Sequence, residues 1–437
     1  MDIILYTENQ RNKLLTLLTN LRENNKYFNK TFKSMSEFSH ENIMDVYDFI
    51  EPITKQNIMS NIHQYLPSSF VSNFKSHDEL ERELLNVDNL SQNHDKVYSS
   101  QNEKWFIETT TGTTGKPFAV VKTMRERMIE ASYLLKCRKR VYEDVSLKNG
   151  FLLIHQLDPY LKSIDFRKND ENLQHVVKYM LETKPEWMFI TAYLLKRLSN
   201  YLLINKPMDL SGLNLKFIEN TSQHLLPEEL ETIEALFQTK IINNYGCREF
   251  WNIGYECKEA GHLHLNSDYL IVDVIDDEGK IIKEEGIVGD VVVTNLVNKT
   301  MPFIKYYLGD RAKIYNNCTC GIKTPYIVLE EGRKHEKLVN TKYYGNVVFR
   351  KVLRGLYFHN KYHELKRIKI IQDEPFHLSV YLDINGNSIE GFKEKFLWHC
   401  NETIGKDIQA FSIDFVYDYP FQESNSYKDQ VFINKVI

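Results

Sequence analysis

Apolar residues recur at helical spacing near the start of the chain and again after a threonine-rich segment. Leucines at positions 14, 15, 17, 18 and 21 predict a helix over Asn12–Leu21. Polar, asparagine-rich stretches follow up to about residue 90, and they predict further short helices. A long helix is predicted over Met124–Val141, directly after the threonine-rich segment.

Short apolar runs then alternate with helical segments. The runs at residues 151–157, 186–191, 215–220 and 240–245 predict buried strands, and residues 227–237 predict a helix between the last two. Because strands that alternate with helices pair in parallel, this part of the chain predicts a parallel α/β sheet.

The pattern changes in the last part of the chain. Short β runs with turns at residues 277–279 and 285–286 predict a β-rich antiparallel lobe over residues 263–314. Strands at 367–372, 377–383 and 410–417, with a helix within 388–405, predict a small α+β domain. We therefore predict an α/β protein with a large N-terminal domain, residues 1–333, and a small C-terminal domain, residues 334–437.

Composition and charge limit the kinds of molecule that the protein is expected to bind. The 437 residues carry a formal charge of −4 without a long basic run, which argues against nucleic acid and anionic membranes as partners. The first residues lack a sustained apolar stretch, and no run approaches the roughly 20 apolar residues that span a bilayer. We expect a cytoplasmic protein with a small-molecule partner. Six unevenly spaced cysteines do not fit a disulfide scaffold.

The segment TTTGTTGKP, residues 109–117, has the composition of a phosphate-binding loop. It holds five threonines, two glycines and one lysine. Glycines allow the backbone to approach an anion closely, and the hydroxyls and the lysine add donors and charge. A threonine-rich turn without a ligand is the alternative, because the spacing differs from that of the nucleotide loop G-x-x-x-x-G-K-[ST].

Four further motifs follow this loop in a fixed order. They are NNYGCREF at residues 243–250, MPFIKYYLGD at 301–310, GRKHEKL at 332–338 and SYKDQVF at 426–432. Together with the loop, they resemble the signature sequences of the acyl-adenylate-forming (ANL) superfamily, and within it the phenylacetate–CoA ligase and capsule-biosynthesis branch. The resemblance makes the large domain an adenylation domain and the small one a mobile lid.

The resemblance implies an adenylate-forming ligase. Such an enzyme activates a carboxylic acid, here an aryl or small organic acid, as acyl-AMP with release of pyrophosphate. It then passes the acyl group to a thiol, for which CoA is the leading candidate. ATP and Mg²⁺ are thereby implied, and a homodimer is left open. The alternatives are an amide ligase, a carrier-protein loading enzyme, and a catalytically inactive nucleotide-binding homologue.

The resemblance also implies roles for individual residues. It makes Lys428, Glu249 and Thr114 catalytic, with Glu249 as a Mg²⁺ ligand and Lys428 as the cation on the substrate carboxylate and the α-phosphate. Nucleotide contacts are implied for Thr110, Gly112, Thr113, Thr114, Gly115, Lys116, Tyr245, Gly246, Asp310 and Arg333. Three positions depart from the family pattern, namely Arg248 for a small hydroxyl residue, Lys305 for an arginine and His335 for an aspartate.

Two pairs of metal-ligand residues lie in the β-rich lobe. Cys257 and His264 are seven residues apart, and Cys318 and Cys320 form a CxCG turn. Three thiols and one imidazole suit a tetrahedral structural Zn²⁺ site. His262 is a rival fourth ligand, and three buried thiols beside a surface histidine are the alternative without metal.

Overall fold

The computed structural model describes residues 6–85, 97–100, 103–110, 119–152, 170–204, 210, 212–330, 332, 336–358, 365–384, 391–417, 419 and 431–436. Its contacts group the chain into two compact units. The first comprises Met1–Leu308 and Lys313–Val328, and the second comprises Gly309–Ala312 and Leu329–Ile437. The predicted domain boundary after residue 333 stays a prediction.

The first unit begins with seven helices. They are α1 (Glu8–Asn24), α2 (Lys26–Phe32), α3 (Ile43–Phe49), α4 (Lys55–Ser60), α5 (Ile62–Tyr65), α6 (Ser68–Val71) and α7 (His77–Leu85). The predicted first helix is confirmed, and it starts earlier than predicted because Thr7 and Gln10 form a capping box. Within the described residues, no helix has both the length and the apolar character that crossing a bilayer requires.

A small antiparallel sheet follows, and it flanks the threonine–glycine loop. Strand β1 (Val97–Ser99) pairs with β2 (Lys104–Thr109), which pairs with β3 (Ala119–Thr123). Helix α8 (Met124–Val141) has the predicted bounds, because Thr123 and Glu126 cap its first turn.

The main sheet has ten strands with the order β10-β11-β12-β13-β9-β8-β7-β6-β5-β4. Its strands are β4 (Gly150–Leu152), β5 (Trp187–Thr191), β6 (Phe217–Thr221), β7 (Ile241–Tyr245), β8 (Gly254–Glu256), β9 (Leu263–Leu265), β10 (Leu270–Ile275), β11 (Gly289–Asn295), β12 (Tyr306–Tyr315) and β13 (Tyr326–Leu329). Its helices are α9 (Asp170–Thr183), α10 (Ala192–Ile204) and α11 (Pro227–Phe237).

The predicted parallel sheet is confirmed, since β4 to β7 pair in parallel in chain order. The β-rich lobe does not form a separate layer. Strand β8 pairs antiparallel with β7 and with β9, so the lobe continues the same sheet. The end of β7 is thus the place where the sheet changes from parallel to antiparallel pairing.

The second unit contains a four-stranded sheet with the order β16-β15-β14-β17 and two helices. Its elements are α12 (Gly345–Phe358), β14 (Leu365–Glu374), β15 (His377–Ile384), α13 (Phe392–Ile404), β16 (Ser412–Val416) and β17 (Phe432–Asn434). Phe349, Val380 and Phe396 belong to its buried core. The three predicted strands and the helix are confirmed, whereas β17 was missed.

The contacts of Gly345 and His377 explain two local features of the second unit. A Cβ atom on Gly345 would lie 2.2 Å from the Phe432 ring, so close packing requires a glycine at the start of α12. His377 lies between two carboxylates, with its Nδ1 2.6 Å from Asp373 and its Nε2 3.1 Å from Asp414. The hydrogen bond that His377 donates to Asp373 is the largest cause that raises the pKa of His377.

Candidate functional site

The carboxyl ends of the parallel strands form the edge where ligands bind in open α/β sheets. Strand β7 ends at Tyr245, and Gly246 opens the loop that follows. This loop, residues 246–252, carries most of the predicted Y-G-C-R-E motif, and we name it the glutamate loop. The sequence therefore brings the motif to the ligand edge of the sheet.

The glutamate loop is closed on itself by backbone hydrogen bonds. The Trp251 amide donates to the Cys247 carbonyl at 2.7 Å, and the Ile253 amide donates to the Tyr245 carbonyl at 2.7 Å. A Cβ atom on Gly246 would lie 2.1 Å from the Trp251 carbonyl oxygen. Only glycine leaves room for this backbone path.

Glu249 is the acidic residue of the loop, and its side chain is held in place. It is 7% exposed, and its Oε1 accepts a hydrogen bond of 3.0 Å from the Tyr306 hydroxyl at the start of β12. Burial lowers the pKa of Lys55 at the start of α4, and the negative charge of Glu249 opposes that effect. The negative charge of Glu249 therefore acts on Lys55, an interaction that sequence reasoning missed.

The other predicted nucleotide residues divide into two groups. Thr110 directly follows β2, and Asp310 lies within β12 in the part assigned to the second unit. Both are half-buried. The remaining predicted residues lie outside the residues that the structure describes, and their roles stay predictions; they are Gly112, Thr113, Thr114, Gly115, Lys116, Arg333 and Lys428.

Two polar residues at the end of β6 were also missed. The Oδ1 atom of Asn220 and the Oγ atom of Ser222 are buried, and neither has a hydrogen-bond partner among the described residues. Ser222 has a φ of +76°, which is strained for a residue with a Cβ. Buried polar atoms without a partner are uncommon in folded proteins, and these two lie at the ligand edge. The polar run from Asn220 to Gln223 after an apolar strand was the available sequence signal.

A buried ion pair lies under the same edge. Arg138 on α8 donates two hydrogen bonds to Glu219 on β6, at 2.6 and 3.0 Å. The Tyr255 hydroxyl and the Asn244 side-chain amide donate to the same carboxylate, each at 2.9 Å. Four donors thus satisfy Glu219 and fix α8 to three neighbouring strands.

Lys305, which belongs to the motif at residues 301–310, directs its charged group into the interior of the protein. It is buried with a φ of +44°, and its Nζ donates to the Asp48 carbonyl at 3.0 Å. The ammonium also lies 4.9 Å from the centre of the Tyr47 ring. This lysine therefore points into the N-terminal helices.

The structure brings the four predicted metal ligands together. One ligand atom from each of Cys257, His264, Cys318 and Cys320 lies within 4.8 Å of all the others. The Cys257 and Cys318 Sγ atoms are 3.9 Å apart, and the Cys320 Sγ lies 3.2 Å from the His264 Nε2.

These distances fit a tetrahedral Zn²⁺ ion. Zn–S bonds of about 2.3 Å at tetrahedral angles place two sulfurs about 3.8 Å apart, close to the separation of Cys257 and Cys318. The His264 Nδ1 donates to the Thr324 carbonyl at 3.0 Å, which leaves the Nε2 lone pair facing the thiols. The rival His262 has its Nδ1 3.3 Å from Cys318, and its ring stacks on Tyr326. The geometry favours His264 as the fourth ligand.

Comparison with curated proteins finds two relatives, whereas no family model matches the chain. The chain is 22% identical to Protein CapK of Staphylococcus aureus over 312 residues, which are 68% of this chain and 65% of CapK. It is 35% identical to a phenylacetate-coenzyme A ligase of Thermus thermophilus over 86 residues, 19% of either chain. The chain thus matches slightly less than two thirds of CapK and a fifth of the ligase.

Comparison with solved structures covers nearly the whole chain. A 2-hydroxyisobutyryl-CoA ligase in the postadenylation state superposes with a TM-score of 0.66 at 12% identity, covering 98% of this chain and 89% of the other. An O-succinylbenzoate coenzyme A synthetase of Bacillus subtilis, in complex with ATP and magnesium, gives 0.50 at 13% identity over 74% and 68%. At such identities the likeness establishes the fold, and the predicted fold class is confirmed.

Proposed function

From its acyl-adenylate-forming (ANL) fold and the order of its motifs, we propose that this chain is an adenylate-forming ligase. It activates a carboxylic acid with ATP as acyl-AMP, releases pyrophosphate and transfers the acyl group to a thiol. The observation that carries this proposal is Glu249, a buried carboxylate held by Tyr306 in a closed loop at the ligand edge of the parallel strands. Such a carboxylate suits Mg²⁺, which prefers oxygen ligands.

In this proposal, cations and fixed donors stabilise the charge that accumulates when an anionic carboxylate attacks an anionic phosphate. Glu249 holds Mg²⁺, which neutralises phosphate charge when it is bound. The loop from Thr110 to Lys116 binds the terminal phosphates, and Lys55 adds positive charge near Glu249.

Asp310, Arg333 and Lys428 contribute the remaining roles. Asp310 has two carboxylate oxygens, which suit both ribose hydroxyls. Arg333 contacts the ribose or the phosphates, and Lys428 binds the substrate carboxylate together with the α-phosphate. A point cation on a long stem suits a residue that must approach both groups.

The substrate and the acceptor follow from the relatives by analogy. Phenylacetate-coenzyme A ligase is named for an aryl acid, and 2-hydroxyisobutyryl-CoA ligase for a short hydroxy acid. Both names contain CoA, which makes CoA the first acceptor to test. An amine or a carrier-protein thiol is the second candidate, because both acceptors use the same acyl-AMP.

We also propose that Cys257, His264, Cys318 and Cys320 bind a structural Zn²⁺ ion. The ligand set is closed, with four protein ligands and no position left for a substrate. The ion would tie the segment before β9, strand β9 itself and the turn at residues 318–320 to one another. This role is separate from the chemistry of the adenylate.

The test is exchange of labelled pyrophosphate into ATP in the presence of a panel of aryl and short-chain acids. We expect acid-dependent exchange, and we expect Glu249→Gln to lower its rate about 100-fold, in line with the loss of one charge-stabilising contact. Glu259→Gln is the matched control, because Glu259 is an exposed carboxylate of the same unit. Added CoA, amine or carrier protein then identifies the acceptor.

Two results would contradict the proposal. ATP binding without exchange for any acid would favour the inactive nucleotide-binding homologue. Equal exchange rates for Glu249→Gln and Glu259→Gln would remove Glu249 from the reaction.

A further inference from the structure

A lysine is buried in the strand that follows the threonine–glycine loop. Every residue of β3 is buried, and Lys122 has a relative exposure of 0%. It lies opposite Phe106 in the antiparallel pairing of β2 and β3. Complete burial of a lysine is rare and costly unless the charge is paired.

Lys122 is paired within a small charged cluster. Its Nζ lies 2.6 Å from the Glu130 Oε2 and 3.7 Å from the Glu108 Oε2. Burial alone would lower the pKa of Lys122, but the two carboxylates outweigh burial and raise it, so the ammonium stays protonated. Arg127, with its Nε 3.0 Å from Glu108, makes the cluster neutral, with two cations and two carboxylates.

The same cluster holds the glutamate loop at two points. The Lys122 Nζ donates to the Arg248 carbonyl at 3.0 Å, which is the peptide group that leads into Glu249. The Trp251 Nε1 donates to the Glu108 Oε2 at 2.7 Å, and the Lys122 ammonium lies 5.1 Å from the centre of the Trp251 ring. Both flanks of Glu249 are thus fixed to the strand pair β2–β3.

We propose that Lys122 is a positioning residue, which sets the place of Glu249 relative to the strands flanking the threonine–glycine loop. This inference rests on the proposed function, in which Glu249 and that loop act on the same magnesium–nucleotide complex. Stability alone does not account for Lys122, because well-packed apolar residues usually stabilise a core as well as a buried ion pair does. An apolar residue in place of Lys122 would lack the bond to Arg248.

The experiment uses a charge-balanced double variant. Lys122→Met alone leaves buried carboxylates without their cation and is expected to be the least stable variant, whereas Lys122→Met with Glu130→Gln removes one charge of each sign. The control is Lys136→Met with Asp268→Asn, which removes an exposed ion pair between α8 and the turn before β10. Glu130→Gln alone keeps the bond from Lys122 to the Arg248 carbonyl.

The first readout is hydrogen exchange of the backbone amides, which needs no activity. We expect amides of residues 246–252 to exchange at least about tenfold faster in the charge-balanced variant, because local opening costs less once the loop loses an anchor. Amides of β14 and β15 in the second unit should keep their wild-type rates. The control and Glu130→Gln should keep wild-type protection of the loop.

The second readout is the magnesium dependence of pyrophosphate exchange. A displaced Glu249 should raise the Mg²⁺ concentration for half-maximal exchange and lower kcat by at least about tenfold, whereas loss of folded protein lowers kcat alone. Unchanged loop protection in the charge-balanced variant, or an unchanged magnesium dependence, would overturn the proposal. A wild-type protein without any exchange activity would instead refute the proposed function, and hydrogen exchange would still decide whether Lys122 anchors the loop.

Discussion

Replacing His264 by glutamine should empty the proposed zinc site, whereas the same change at His262 should leave it filled. His264 is 1% exposed, and its Nε2 faces the thiols because its Nδ1 donates to Thr324. Glutamine at position 264 offers only an amide, a poor ligand for zinc. The ring of His262 instead stacks on Tyr326 at 4.2 Å between centroids, so that variant loses a contact on the periphery of the site.

The expected size follows from the ligand set. Binding of structural zinc contributes about 10–16 kcal/mol at neutral pH in small peptides, and a variant that no longer binds the ion loses that whole contribution. For a unit of this size, about 10 kcal/mol corresponds to a fall in Tm of about 15 °C. Loss of the stacked ring in His262→Gln should cost about 1 kcal/mol and about 2 °C.

The assay measures bound zinc by atomic absorption and Tm with and without a strong chelator. We expect one zinc per wild-type chain, the same for His262→Gln, and a small fraction of that for His264→Gln. Chelation should lower the Tm of the first two proteins and leave the third unchanged. Cobalt should substitute for zinc in the wild type and give the absorption of a tetrahedral thiolate site.

The reasoning would be refuted by the opposite order of the two histidines, with zinc lost from His262→Gln and kept in His264→Gln. A wild-type protein that contains no zinc and whose Tm ignores chelator would refute the metal site altogether. In that case the four side chains would be packing groups in the lobe.

Three further perturbations test the structure around the site. Gly246→Ala should lower exchange activity at least about tenfold, because the new methyl group would lie 2.1 Å from the Trp251 carbonyl and displace the loop; an unchanged rate would contradict this. Arg138→Met should destabilise the first unit by about 3–5 kcal/mol in urea unfolding, because Glu219 stays buried without its cation; a cost below about 1 kcal/mol would show that the pair is dispensable. His377→Asn should lower the stability less as the pH rises. Because the pKa of His377 is raised on folding, its protonated form stabilises the fold below about pH 6.5, and this contribution is lost as the pH rises through the pKa of the folded state. A difference in Tm between variant and wild type that is constant between about pH 5.5 and 8.5 would contradict this expectation.

Local signals explain the elements that could be predicted from the sequence. Helix α8 has the predicted bounds because Thr123 and Glu126, three residues apart, form its cap. The strands β5, β6 and β7 were found because each begins with a short apolar run, as buried parallel strands commonly do. Strand β17 was missed, since three residues that pair with β14 have no periodic pattern of their own.

The candidate site was predictable only in part, because several of its contacts join residues that lie far apart along the chain. Cysteine pairs mark a metal site by their chemistry, but His262 and His264 point to the same side of β9, and the Thr324 contact separates them. The burial of Lys122 and Lys305 could not be predicted, because their partners lie far along the chain; the Arg248 carbonyl is 126 residues from Lys122. The strained φ of Ser222 has no sequence signal.

The buried ion pairs near the ligand edge restrict the geometry of the first unit. Two ion pairs, Lys122 with Glu130 and Arg138 with Glu219, lie within the core of the first unit, and both involve α8. Buried ion pairs rarely add net stability, but they require one geometry, because a displaced partner leaves an unpaired charge. The ligand edge must place the Glu249 carboxylate within a few tenths of an ångström, and ion pairs that allow only one geometry help to fix that position. We therefore expect the charge-balanced variant Lys122→Met with Glu130→Gln to spare the fold and impair the placement of Glu249.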